Sequence, residues 1–141
     1  MNDLSQPARL SPKASLTGKT VLVVDDDKPL LMALSKVLRS EGARVLSAGG
    51  VSDAVGFLSL NYGRIDLVLT DMQMPTVSGK CILSAMKGFD PGVPVIVMTA
   101  FATDELRGAC AGQGAFAFLE KPVDTATLLG VMNRALGRDH P

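Results

Sequence analysis

Five short apolar segments, separated by stretches of helical periodicity, are the feature that most restricts how this chain can fold. The apolar segments are Thr20–Val24, Arg44–Ser47, Leu67–Thr70, Val95–Met98 and Ala115–Leu119. Three of them contain uninterrupted apolar runs, VLVV, LVL and VIVM, as expected of strands that are covered on both faces of a sheet. The stretches between and after them repeat apolar residues at helical spacing: Pro29–Ser40, Ser52–Leu60, Gly79–Lys87, Thr103–Ala111 and Thr125–Leu136.

Strands that alternate with helices along the whole chain favour the α/β class. Consecutive units of this kind form a parallel sheet, and right-handed crossovers place helices on both of its faces. Local signals at the helix ends agree: Pro29 suits a first turn, and Asp124 suits the N-cap of the last helix. Gly42 follows the first helix in the position of a C-cap. We therefore predict a doubly wound (βα)5 sandwich.

Length and composition predict a single domain with short extensions. The chain has 141 residues, of which 47% are hydrophobic, and this is enough for a sizeable core. Residues 1–18 are polar and lack periodicity, so we expect them to form a flexible leader. We place the domain at residues 19–137 and a short tail at residues 138–141.

Composition also narrows the classes of function. Fourteen Lys and Arg residues balance fourteen Asp and Glu residues, and aromatic residues make up 4% of the chain, so direct nucleic-acid binding is not expected. No apolar run is long enough to span a membrane, and the N-terminus has no apolar signal segment, so we expect a cytoplasmic location. Cys81 and Cys110 are not spaced as zinc ligands and indicate no disulfide framework.

Charged and hydroxyl side chains follow four of the five predicted strands. Asp25–Asp27 follow the first strand, Asp71 the third, Thr99 the fourth and Lys121 the fifth. In a parallel α/β sheet the carboxyl ends of the strands meet at one edge, which is where ligands bind. Carboxylates brought together there repel one another unless a cation lies between them, and hard oxygen ligands suit Mg²⁺. With Lys121 and Thr99 beside them, these carboxylates predict a phosphoryl-transfer site.

Four segments of the chain resemble, in order, the receiver domains of bacterial two-component response regulators: VLVVDDDKP, LVLTDMQMPTVSG, VIVMTAFAT and FLEKP. The similarity extends from about Lys19 to Leu136. It implies a flavodoxin-like receiver fold with a five-stranded parallel sheet of order 2-1-3-4-5. It also implies Mg²⁺-dependent transfer of a phosphoryl group from the phosphohistidine of a histidine kinase, with Mn²⁺ as a substitute metal. Such a domain is a phosphoacceptor and not an enzyme that turns over a separate substrate.

The resemblance assigns roles to the residues at the strand ends. Asp71 matches the phosphoacceptor, and Lys121 matches the lysine that pairs with the phosphoryl group. The implied metal ligands are Asp25, Asp26, Asp71 and the backbone carbonyl of Gln73. Asp27 lies one place beyond the acidic pair and is expected to cap the first helix. The resemblance also implies a cis peptide bond between Lys121 and Pro122.

The resemblance also implies that further residues control the conformational switch and the lifetime of the phosphorylated state. Thr99 and Phe118 match the switch residues, which change orientation on phosphorylation. The side chains of Gln73 and Phe101 match those that flank the route of the hydrolytic water, and a large Phe101 is expected to shield the phosphoryl group. Phosphorylation adds about −1.5 to −2 charge at one point, so we expect the surface formed by residues 99–136 to be remodelled.

The expected partners follow from the same resemblance. They are a sensor histidine kinase or a phosphotransfer protein, together with an output protein. We expect no interaction with a membrane. A homodimer is expected to use the face made by residues 103–111, 115–119 and 125–136. Because the chain ends soon after the last helix, we expect the output in another molecule or in a segment missing from this chain. A free-standing receiver, the receiver of a transcription regulator and the receiver of a hybrid histidine kinase all remain open.

A different class, a phosphatase of the haloacid-dehalogenase type, is the alternative. These enzymes place a D-x-D after a first strand and a Thr and a Lys after later strands, and Asp25–Asp27, Thr99 and Lys121 fit that pattern. However, no second acidic pair follows Lys121, and the pattern leaves Asp71 without a role. The two hypotheses place the covalent phosphate on different residues, Asp25 in the phosphatase and Asp71 in the receiver.

Overall fold

The computed structural model describes residues 15–71, residue 83 and residues 87–137. The strands are β1 (Thr20–Val24), β2 (Arg44–Ala48), β3 (Leu67–Asp71), β4 (Val95–Thr99) and β5 (Ala117–Glu120). Four helices are described from end to end: α1 (Lys28–Ser40), α2 (Val51–Leu60), α3 (Asp104–Gly112) and α4 (Thr125–Ala135). Leu83 and residues 87–89 are also helical, as expected for the predicted helix Gly79–Lys87, whose remaining residues lie outside the described ones.

The five strands form one parallel sheet in the order β2-β1-β3-β4-β5, which confirms the predicted topology. Val21 of β1 aligns with Val45 of β2 on one side and with Leu67 of β3 on the other. Every residue of β3 and β4 is buried, which explains why their sequences are apolar without alternation. The strands at the edges, β2 and β5, are less buried because each has a neighbour on one side only.

Helices cover both faces of the sheet, and each face has its own apolar core. On one face Leu38 of α1 and Met132 of α4 are fully buried against alternate residues of the strands. On the other face Ala54 of α2 and Cys110 of α3 are fully buried in the same way, and Cys110 packs there as a small apolar residue. The domain is therefore a doubly wound α/β sandwich, as predicted. Among the described residues, none of the helices combines the length and the apolar character that a bilayer span requires.

The predicted helix ends are confirmed by their hydrogen bonds. Asp27 accepts a hydrogen bond from the backbone N–H of Leu30 (3.1 Å), and Asp124 accepts one from Thr127 (2.9 Å), so both aspartates cap helices. Strand β5 begins two residues later than the predicted Ala115. The reason is that the backbone N–H of Ala115 still donates to the carbonyl of Cys110 at the end of α3 (3.0 Å).

Residues 15–18 form a turn that packs against the domain, although we expected the flexible leader to extend to residue 18. Leu16 is fully buried among the apolar residues on the α1 and α4 face, and its backbone N–H donates to the carbonyl of Glu41 (2.9 Å). Gly42 permits this contact because its φ is +95° and a Cβ there would lie 2.5 Å from Thr17 Oγ1. The packed region thus begins before Lys19, while residues 1–14 and the predicted tail lie outside the described residues.

We expect Leu16→Ala to lower the free energy of unfolding by about 2–5 kcal/mol, because it truncates a fully buried leucine and leaves a cavity. Urea denaturation followed by far-ultraviolet circular dichroism measures the change. The matched control is Leu60→Ala, since Leu60 is 82% exposed at the end of α2 and its truncation should change stability by less than about 0.5 kcal/mol. Equal effects of the two substitutions would contradict the contribution of Leu16 to the core.

Candidate functional site

The polar residues predicted at the strand ends lie together at the carboxyl edge of the sheet. Asp25 directly follows β1, Asp71 ends β3, Thr99 ends β4 and Lys121 directly follows β5. Parallel register brings them together, and the backbone N–H of Lys121 donates to the carbonyl of Thr99 (2.8 Å). The Lys121–Pro122 peptide bond is cis, as the family resemblance implied.

Lys121 links the carboxylates of β1 and β3. Its Nζ lies 2.7 Å from Oδ2 of Asp25 and 3.2 Å from Oδ2 of Asp71. Asp25 is fully buried and Asp71 is 5% exposed, so both charges would be costly without a nearby cation. Burial by itself would lower the pKa of Lys121, but the hydrogen bonds and charges of Asp25 and Asp71 outweigh it and raise the pKa above its ordinary value of 10.5. The lysine is therefore an ammonium ion at neutral pH.

Three carboxylates are close enough to share one cation. Oxygen atoms of Asp25, Asp26 and Asp71 all lie within 4.8 Å of one another, and Asp26 is exposed while the other two are buried. Oδ1 of Asp25 accepts a hydrogen bond from the backbone N–H of Asp27 (2.9 Å), which orients this carboxylate. Three carboxylates against one ammonium leave an excess of negative charge, and oxygen donors of this kind fit a hard divalent cation. Gln73, the remaining predicted ligand, lies outside the described residues.

Thr99 places a hydroxyl group in the buried part of the same edge. Its side chain is fully buried, and its Oγ1 accepts a hydrogen bond from the backbone N–H of Phe101 (3.2 Å). A hydroxyl that accepts one hydrogen bond can still donate its own hydrogen to a second group. The side chain of Phe101 is 67% exposed beside this site, where it is able to cover a group bound at the edge.

Phe118 is half-buried in β5 and packs against the core on the α2 and α3 face. The guanidinium of Arg107 in α3 lies 4.7 Å from the centre of the Phe118 ring, and its Nη1 donates to the Phe118 carbonyl (3.4 Å). Arg107 was not among the residues predicted from the sequence. Periodicity shows only that this residue lies on a helix, and its contact with Phe118 depends on how α3 packs beside β5.

The comparisons with known proteins agree with this geometry. A family model for the response regulator receiver domain matches residues 21–133. The transcriptional regulatory protein GlrR of Escherichia coli is 38% identical over 121 residues, which are 86% of this chain but 27% of the length of GlrR. The chain thus spans about a quarter of that relative.

Solved structures resemble the chain over most of both molecules. A response regulator receiver domain protein from Clostridium thermocellum has a TM-score of 0.80 and 32% identity, covering 85% of this chain and 95% of that one. A structure of the CheX–CheY–BeF3–Mg²⁺ complex from Borrelia burgdorferi has a TM-score of 0.77 and 32% identity, covering 82% and 87%. With the acidic cluster and the doubly wound sheet, these matches show that the chain belongs to the receiver domain family of two-component response regulators.

Proposed function

We propose that this receiver accepts a phosphoryl group on Asp71, donated by the phosphohistidine of a sensor histidine kinase or a phosphotransfer protein. The observation that carries the proposal is the nearly buried carboxylate of Asp71, which lies 3.2 Å from Lys121 Nζ and within one cluster with Asp25 and Asp26. In the reaction an Asp71 oxygen forms a bond to phosphorus while the phosphorus–nitrogen bond to the imidazole breaks. The electron pair of that bond leaves with the imidazole nitrogen.

The neighbouring side chains would stabilise the transferred group. Lys121 already contacts Asp71, so its ammonium group reaches a phosphoryl oxygen on the same carboxylate with little movement. The buried hydroxyl of Thr99 is a further donor for that oxygen. Asp25, Asp26 and Asp71 would hold Mg²⁺, or Mn²⁺ in its place, with the carbonyl of Gln73 as the further ligand that the family resemblance implies. The metal would supply positive charge to offset that of the phosphoryl oxygens.

Phosphorylation would act as a signal through the elements that follow Thr99. The phosphoryl group would recruit the hydroxyl of Thr99 in the phosphorylated state only, and it would give Lys121, which already pairs with Asp25 and Asp71, a new anionic partner. These two residues connect to α3, β5 and α4. Phe118 and Arg107 lie on this surface, where a reorientation of the ring would alter the contact between β5 and α3. We propose that the surface formed by residues 99–136 is read by an output protein or domain, or by a second copy of the receiver.

We propose that the output of this receiver is control of transcription. GlrR is named a transcriptional regulatory protein, and this name supports the assignment. A receiver that belongs to a hybrid histidine kinase is the alternative. Measurements on the phosphorylated and unphosphorylated protein distinguish them. The receiver of a transcription regulator should change its oligomeric state on phosphorylation, whereas a relay receiver should pass its phosphoryl group to a phosphotransfer protein.

The test of the proposed function is phosphorylation of the purified protein by acetyl phosphate. With Mg²⁺ present, the intact mass should increase by one phosphoryl group, and borohydride reduction followed by peptide mapping should locate the group at Asp71. A chelator should prevent the increase, since the excess negative charge of the cluster then opposes the approach of the donor. No mass increase, or a phosphoryl group on another residue, would overturn the proposal.

We expect Phe101→Ala to shorten the lifetime of the phosphorylated state severalfold, because the exposed ring would no longer shield the phosphoryl group from water. Gln73, which would flank the route of the hydrolytic water together with Phe101, is unchanged in this variant. Loss of the phosphoryl group over time, followed by intact mass, measures the rate. Phe116→Ala is the matched control, since Phe116 is another exposed phenylalanine outside the site. An unchanged rate in Phe101→Ala would show that the ring does not shield the phosphate.

A further inference from the structure

Helix α3 contains two glycines, Gly108 in its middle and Gly112 at its last position. Packing does not require either of them, because a Cβ added at either position would meet no atom within 4 Å beyond the backbone of the helix itself. Neither glycine has a positive φ, so a side chain at these positions would not strain the backbone. The two glycines therefore serve no turn and no close approach, and their effect on the stability of the helix remains.

Glycine weakens a helix. It loses more backbone freedom than any other residue when the chain becomes helical, and it has no side chain that could pack. Helix α3 has little buried surface to compensate for this loss: Cys110 is its one buried residue, whereas α1 and α2 have two each and α4 has three. Of the four helices described from end to end, α3 is therefore the least firmly held.

The other contacts of α3 lie mainly in its first turns. Thr103 Oγ1 accepts a hydrogen bond from the backbone N–H of Leu106 (3.0 Å), which fixes the start of the helix, and Leu106 is half-buried against the core. Arg107 lies over the ring of Phe118, but it is exposed, and a cation–π contact at an exposed site is weak. The start of α3 is thus held more firmly than the part that contains the two glycines.

We propose that Gly108 and Gly112 keep α3 close to its local unfolding equilibrium, so that this helix opens as a unit while the sheet stays folded. An element with little buried surface opens at a smaller cost in free energy than the whole domain unfolds. The opening exposes the buried side chain of Cys110. Because α3 belongs to the surface formed by residues 99–136, a phosphoryl group or a partner needs only a small difference in affinity between the closed and open states to remodel that surface.

Amide hydrogen exchange of the unphosphorylated wild-type chain, resolved by nuclear magnetic resonance, is the first test. The backbone amides of residues 108–112 should be less protected than the most protected amides of α1 by about tenfold or more, because they exchange through local opening and those of α1 through global unfolding. Equal protection in the two helices would overturn the inference. The proposed function would stand in that case, since it depends on Asp71 and not on α3.

The matched substitutions Gly108→Ala and Gly56→Ala separate local opening from global unfolding. Gly56 lies inside α2, is exposed, and a Cβ there also meets no atom within 4 Å. Each substitution should stabilise its own helix and raise protection by about fivefold wherever exchange requires that helix to unfold. The α3 amides should therefore respond to Gly108→Ala and not to Gly56→Ala, whereas the α1 amides that exchange through global unfolding should respond to both.

Two results of this comparison would overturn the inference. If Gly56→Ala protects the α3 amides as much as Gly108→Ala does, α3 opens only together with the whole domain. If the double variant Gly108→Ala/Gly112→Ala leaves the protection of α3 unchanged, the glycines do not set its stability. We expect the double variant to exceed Gly108→Ala, with a smaller increment from Gly112 because it is the last helical residue.

The labelling of Cys110 by N-ethylmaleimide distinguishes opening of the whole helix from fraying of its last turn. The reagent reaches this thiol only when α3 leaves the core, because the side chain of Cys110 is fully buried. With peptide mapping to separate Cys110 from Cys81, the rate of labelling should fall about fivefold in Gly108→Ala and stay at the wild-type value in Gly56→Ala. An unchanged rate in Gly108→Ala would overturn the inference, since the amides would then report fraying alone.

Discussion

Asp71→Asn is expected to abolish phosphorylation by an acyl phosphate in the presence of Mg²⁺. The amide has nearly the size of the carboxylate, and its oxygen can still accept a hydrogen bond from Lys121, so the fold should be retained. It lacks the negative oxygen that attacks phosphorus, and it removes one of the three carboxylates that would hold the metal. Intact mass after incubation with the donor should show no added phosphoryl group.

The control for this prediction is Asp53→Asn, on the exposed surface of α2, which should be phosphorylated like the wild-type chain. Asp25→Asn provides the reciprocal comparison. In the receiver it should weaken metal binding and slow phosphorylation while the group still maps to Asp71. If the Asp71→Asn variant were phosphorylated to the same extent as the wild-type chain, with the phosphoryl group on Asp25, the result would instead support the haloacid-dehalogenase type of mechanism.

Lys121→Met is expected to destabilise the fold by about 3 kcal/mol in the absence of divalent cations. The substitution keeps an apolar stem of similar length but removes the ammonium that lies 2.7 Å from the fully buried Asp25 and 3.2 Å from Asp71. Mg²⁺ should restore most of the lost stability, because it binds the carboxylates more tightly when no ammonium competes with it. Chemical denaturation with and without Mg²⁺ measures both effects.

The matched control is Lys36→Met, since Lys36 is exposed on α1 and loss of its charge should change stability by less than about 0.5 kcal/mol.

The pH dependence of stability provides a second measurement. Because the folded-state pKa of Lys121 is raised above 10.5, its contribution to stability is complete below that pH and is lost as the pH rises through the folded value. Lys121→Met should lack this alkaline loss. A variant as stable as wild type without Mg²⁺ would contradict the prediction.

The sequence predicted the secondary structure closely because the signals involved are local. Strand β1 occupies the predicted Thr20–Val24, and α1 begins one residue before the predicted Pro29. Apolar periodicity and capping side chains depend on residues a few positions apart, so they can be recognised without a fold. The burial of Leu16 was not predicted, because the few apolar residues of the polar segment 1–18 show no sustained periodicity. Its burial depends on the space that remains beside α1 once the helix has packed.

The class of fold and the chemical types at the carboxyl edge of the sheet follow from the sequence alone. Parallel strands ending in Asp25, Asp71 and Lys121 must bring carboxylates and an ammonium to one edge. Which atoms meet there depends on the tertiary packing. Lys121 and Asp25 are 96 positions apart, and their 2.7 Å contact exists because strand order and register align their ends. The contact of Arg107 with Phe118 likewise arises from packing between elements, which local sequence patterns do not encode.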